Sequence, residues 1–366
     1  MTGDWRAQLR LISLTILGLI ALDAIVAVGL ATVAPESLRT YFEYGRSVPG
    51  KLERWVETPV ARGNLFDVAW IPDVIADSDR LFAEGAPDRP MVRGYGMSFI
   101  NQLLHAAAEA DPTLHLDLHS GPSAPPNYTY ALFVNDAANR RSGDVAVLGV
   151  LSSSVAAMAA LSNQTWNFDS PAPFTYPIWR PEGTSGLSRI DPVVKSDQDA
   201  RAVASGAPIA KAWAAQLAAQ DLMYSPTAYD ATWLDVSPFA RLVRRSLATS
   251  AIRADTQAVT SGEANYPWAE TLIRMSRLFA AQARAEGLIP VVVLVQGRDL
   301  GDPDLRAALA PALSGDGIPT LITADLVSPR SVGNFLPDSH YNQEANAVFG
   351  QAMADLIATQ RVSARR

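Results

Sequence analysis

Of the chain's four histidines, one, His340, stands two residues after Asp338 in the stretch LPDSHYN, residues 336–342. A histidine takes a proton from a hydroxyl most effectively when a carboxylate fixes its tautomer and steadies the charged ring. A matching hydroxyl lies in GYGMSF, where Ser98 follows Gly94 and Gly96 at the junction between an extended run and a helical one. A serine at such a junction is either a helix cap or a nucleophile. As a nucleophile, its own N–H and its neighbours' would face a developing oxyanion, worth about 3–4 kcal/mol per donor. The chemistry this set would support is acyl transfer, with Ser98 as nucleophile, His340 as base and Asp338 as the group that orients it. Asp338 has a simpler reading too, as an acid favoured near a helix start by the macrodipole.

Two other groupings invite chemistry. His115, Asp117 and His119 alternate along one extended run, which aligns them as metal ligands or as the polar face of a strand; no further ligands are in view, and neither a metal nor a cofactor is expected. Trp166, Phe168, Phe174, Tyr176 and Trp179 crowd a proline-rich stretch, as the stacking wall of a glycan cleft or as packing that joins the stretch to a core. There are no cysteines, which excludes disulfides, zinc thiolates and a thiol nucleophile. The net charge is −7 and only Lys51, Lys195 and Lys211 are lysine, so no nucleic-acid partner is expected. The arginine bias and abundant alanine suggest a bacterial protein.

Holding Ser98 and His340 together requires a scaffold. Short apolar runs at residues 90–95, 114–118, 144–149, 289–295 and 319–323 are bounded by turn residues and mostly followed by helical stretches. That is the pattern of strands buried on both faces of an open α/β sheet. Helices are expected at 99–110, 152–161, 269–286 and 343–360. Residues 163–265 read as an insertion with helical pieces at 210–219 and 239–247. Ligands of such sheets gather beyond the carboxyl ends of the strands. On that rim fall Ser98, the 120–123 turn, Ser152 and the 337–342 loop.

Residues 11–33, LISLTILGLIALDAIVAVGLATV, contain one charge, Asp23. At about 1.5 Å per residue a helix of that length crosses a bilayer. Arg6 and Arg10 precede it, so the expected orientation is a cytoplasmic N-terminus, residues 1–10, with the bulk of the chain outside. A cleaved signal peptide is the rival reading. Asp23 is costly at mid-membrane and implies a partner or a functional role, or is a tolerated polar residue in a strong anchor. Residues 34–87 read as a juxtamembrane stalk and linker, and 361–366 as a tail.

The order Gly96-Met97-Ser98, Gly121, Gly149 and Asp338-Ser339-His340, each behind an expected strand, resembles the SGNH/GDSL hydrolase superfamily over residues 88–360. The resemblance implies a flavodoxin-like three-layer sandwich with a five-stranded parallel sheet, and a Ser98–His340–Asp338 triad. It also implies an oxyanion hole using the N–H groups of Ser98 and Gly121. The Asp-x-His spacing is similar to membrane-anchored domains that O-acetylate bacterial polysaccharides. The expected partners follow from that: an acyl ester or glycan, the inner membrane, and a membrane-bound acyl donor or polysaccharide export proteins. Such a domain would face the periplasm. Two positions depart from the family pattern: Met97 replaces its aspartate, and Leu151 stands in place of the oxyanion asparagine. Ser152, Ser153, Asn127 or Asn163 would have to substitute. The alternative is a glycan-binding or scaffolding member without catalysis.

Overall fold

A computed structural model describes residues 5–57, 69–84, 89–166, 174–230, 233–298 and 301–364. In chain order the helices before the sheet are α1 (Trp5–Thr32), α2 (Glu36–Glu43), α3 (Val48–Glu57) and α4 (Ile71–Ala83). Then follow β1 (Val92–Gly96), α5 (Ser98–Ala110), β2 (Leu116–Ser120), α6 (Pro126–Asn135) and β3 (Val145–Leu151). The middle section holds α7 (Asn163–Trp166), β4 (Ile178–Glu182), β5 (Gly186–Ile190), α8 (Asp197–Ala204), α9 (Pro208–Gln220), α10 (Pro226–Tyr229) and α11 (Pro238–Ser261). The chain closes with α12 (Trp268–Ala285), β6 (Ile289–Val295), α13 (Leu305–Gly315), β7 (Thr320–Ile322), α14 (Thr323–Leu326) and α15 (Gln343–Ala364).

Five strands pair in parallel in the order β2-β1-β3-β6-β7, while β4 and β5 form a separate antiparallel hairpin. This is the flavodoxin-like order, with its reversal between β1 and β3. The apolar runs became strands because both faces are covered: β3 and β6 are buried at every residue. α5 and α15 pack together on one face, and α4, α6 and α12 lie on the other.

The face holding α5 depends on glycine. A Cβ on Gly96 would come within 2.6 Å of the Ile100 side chain, and one on Gly149 within 2.3 Å of it. Without those two side chains the first turn of α5 settles directly on the ends of β1 and β3.

The stretch 152–161 departs from its expected α-helix. Residues Ser152–Ala159 form a 3₁₀ helix, in whose first turn the Ser154 hydroxyl donates to the Leu151 carbonyl at 3.1 Å. The described residues within 34–87 pack on the domain. Val48, Leu52, Trp55 and Trp70 enter the main core, and Ser78 of α4 donates to Asp117 of β2 at 3.0 Å. α1 is one helix long and apolar enough to cross a membrane.

Candidate active site

β1 ends at the point where the strand order reverses, and α5 begins two residues later. Met97, at φ −139° and ψ −177°, takes the N-cap position, so Ser98 is the first helical residue and not the cap. Its hydroxyl is therefore free of capping duty, and its N–H is one of the first-turn donors without a helical partner. Ser98 Oγ lies 2.7 Å from His340 Nε2.

His340 arrives on a tight turn before α15. The Leu336 N–H donates to the His340 carbonyl at 2.7 Å, and Ser339 N–H returns to the Leu336 carbonyl at 3.0 Å. Ser339 closes the turn in the left-handed region at φ +71°. The turn carries Asp338 back onto His340: Asp338 Oδ1 accepts the His340 backbone N–H at 3.1 Å, and Oδ2 is 3.2 Å from Nδ1. The second contact is close but not an aligned hydrogen bond, for Nδ1 has no hydrogen-bond partner among the described residues. The His340 backbone N–H, more than the ring, holds the Asp338 carboxyl below the usual carboxylate range. Asp338 is 66% exposed against 24% for the imidazole, so water competes for its charge.

Aromatic packing that sequence spacing did not reveal holds the imidazole in place. The Phe99 ring stacks on His340 with centroids 4.6 Å apart and planes 20° apart. Tyr341 meets Phe99 edge-on, stacks on Phe335 and donates its hydroxyl to the Gln296 carbonyl. Asn101, one turn beyond Ser98, is a second residue beside the site that residue order does not single out. Its amide donates to Ser120 Oγ at 2.8 Å, linking α5 to the end of β2; the i, i+3 spacing from Ser98 was the available signal.

The expected oxyanion donors fare less well. The Gly121 N–H is directed at the Gly96 carbonyl, 3.3 Å away. Ser152 Oγ donates to Asp302 at 2.9 Å and accepts the Gly297 N–H at 2.8 Å, so this hydroxyl is occupied in a loop-to-loop clasp. Asn127, expected among the donors, is instead fully buried and donates to the Met158 carbonyl at 2.7 Å, as a core residue of α6. Asn163 and Leu151 are buried as well, whereas Ser153 is exposed on the rim.

Nor do the aromatics form a sugar-stacking wall. Tyr176 and Phe174 are fully buried and Trp179 is 7% exposed; Trp179 packs edge-on against Tyr130, and Tyr176 against Tyr128. Trp166 packs half-buried on the same core, and Phe168 lies outside the described residues. Aromatic surface of this size joins the middle section to the sheet.

Asp117 and His119 do converge, but with Asp136 and without His115. Oδ2 of both carboxylates accepts from Arg93 Nη1, at 2.8 and 3.1 Å. Arg93 is fully buried and also reaches Asp144 through Nε at 3.1 Å. The guanidinium thus supplies a positive charge to the three buried carboxylates.

Comparison of the chain with protein-family models, with curated proteins and with solved structures gives no match.

Proposed function

We propose that this chain is an SGNH-type serine acyl-ester hydrolase or O-acyltransferase, anchored in a bacterial inner membrane by α1 and acting on a periplasmic polysaccharide or cell-envelope glycan. The single observation that carries this is the 2.7 Å contact between Ser98 Oγ and His340 Nε2 at the strand-order reversal. As Oγ attacks an ester carbonyl, its proton passes to Nε2; collapse expels the alcohol, which takes that proton, and leaves an acyl-serine. A water or a glycan hydroxyl then gives up its proton to His340 and takes the acyl group, and His340 passes that proton to the released Ser98 Oγ. Ser98 at the first turn of α5 supplies one backbone N–H toward the oxyanion.

Purified full-length protein should label at Ser98 with a serine-directed fluorophosphonate and should turn over an activated acetyl ester. Equal turnover by Ser98→Ala would remove Ser98 from the mechanism.

A second reading is favoured by the state of the oxyanion donors. With the Gly121 N–H directed at Gly96, the Ser152 hydroxyl in its clasp and Leu151 at the asparagine position, the chain would be a glycan-binding or scaffolding component that kept the fold. Glycan binding that survives Ser98→Ala and His340→Ala, with no fluorophosphonate label, would support it.

A further inference from the structure

The first three turns of α11 are turned inside out relative to a helix on a water-facing surface. Their buried positions include Arg241 and Arg244, which pair inward with Glu43 and Asp235. Their outward positions include Phe239, Val243 and Leu247, which with Val236 just ahead of the helix are 37%, 59%, 55% and 74% exposed, respectively. Steps of four residues put Phe239, Val243 and Leu247 on one stripe of α11.

The end of this helix is joined to α1. Asp23 Oδ1 accepts the Phe239 N–H at 3.0 Å, and the Ser237 hydroxyl accepts the Ala240 N–H at 3.0 Å. Pro238 has no N–H, and Arg241 N–H bonds the Ser237 carbonyl at 3.0 Å. Every backbone donor of the first turn is therefore absent or satisfied, the condition for placing a helix end in hydrocarbon.

Depth follows from helix geometry. α1 is exposed on all sides from Trp5 to Leu22, whereas Asp23, Val26, Ala27 and Leu30 form a half-buried face. Between Arg10 and Asp23, residues 11–22 supply roughly 18 Å of helix, against about 30 Å of hydrocarbon. The missing 12 Å or so lies beside the part of α1 that Asp23 begins, at the level of Phe239. Farther along α11, Arg245 lies over the rings of Tyr41 and Tyr44, a pairing suited to the headgroup level.

We infer that the first turns of α11, with Val236, Phe239 and Val243 outward, insert into the lipid bilayer beside α1, held there by the Asp23 cap. This rests on reading α1 as a membrane anchor, and it gives Asp23 the partner that a mid-membrane carboxylate calls for.

The absence of cysteine makes the test direct. Single variants Phe239→Cys, Val243→Cys, Ile16→Cys and Val332→Cys of the full chain, each carrying an NBD fluorophore, would be reconstituted in phosphatidylcholine–phosphatidylglycerol vesicles containing acyl-chain spin-labelled lipid. Quenching at 239 and 243 should come within about twofold of that at 16, with 332 at background. Adding Asp23→Leu should lower quenching at 239 severalfold, while Asp23→Asn, which keeps an acceptor oxygen, should preserve it. Background quenching at 239 and 243 beside strong quenching at 16 would overturn the inference and leave the anchor standing. Background quenching at 16 would overturn both. A blue-shifted but unquenched label at 239 would mean that a second protein copy covers the stripe, and would also overturn it.

Discussion

The Phe99 ring lies parallel to the His340 imidazole, 4.6 Å away, while the residue before it, Ser98, meets the same imidazole at Nε2. Two adjacent residues of α5 thus hold one histidine, one by its edge and one by its face. Phe99→Leu keeps apolar volume but removes the flat face. On the proposed mechanism, kcat for an activated acetyl ester should drop roughly tenfold with KM little changed, and Phe99→Tyr should restore it. A change confined to KM would place Phe99 in substrate binding instead.

Asp338 is expected to matter less than the other two members of the set. Its contact with Nδ1 is unaligned and water-screened, so Asp338→Asn should lower turnover by about tenfold, against about 10³-fold or more for His340→Ala. Ser339→Val tests the turn itself. A β-branched residue tolerates φ near +71° poorly, at a cost of about 1–2 kcal/mol, and fluorophosphonate labelling of Ser98 should slow accordingly while Ser339→Gly retains it.

Arg93 is predicted to serve stability and not turnover. Its guanidinium faces Asp117, Asp136 and Asp144 on the sheet face away from α5. Arg93→Met would leave those carboxylates buried without their cation and should cost about 3–5 kcal/mol in denaturant unfolding. A variant as stable as the parent would show that the network is dispensable.

Asp221 sets a pH dependence. Burial pushes its carboxyl up to about 7 against hydrogen bonds from the Leu161 and Met223 N–H groups and the Thr165 hydroxyl. A folded value above the unfolded one, about 3.9, means that folding favours the protonated form. That contribution is complete below about pH 3.9 and is lost as the pH rises to about 7. The parent should therefore lose roughly 2–4 kcal/mol relative to Asp221→Asn across that window. Thermal unfolding of both proteins from pH 4 to 8 checks this, and a difference that does not vary with pH would refute it.

Much of the scaffold was written locally. Runs such as IPVVVLV at Ile289–Val295 read as strands because burial on both faces demands continuous apolar sequence. α5 was legible from its alanine and leucine spacing, and the candidate set was legible from residue type and order: a serine behind glycines, an acid and a histidine ahead of the last helix. α1 was equally plain, since no other described helix combines its length with such hydropathy.

What the chain alone left open was every question of who touches whom. Ser98 and His340 are 242 residues apart, and only the closing of α15 against α5 brings their side chains together. The same holds for what failed. Asn127, Tyr176 and Trp179 carry the right chemistry for a site, yet packing turned them into the core. The Ser152 hydroxyl was absorbed by partners from a loop far along the chain. Asp23 gained its meaning from Phe239, which no local pattern could supply. Composition and periodicity decide which elements form, because burial and backbone geometry act residue by residue. Whether a polar group is free to react or already bonded depends on neighbours distant in sequence, and the tertiary structure alone decides that.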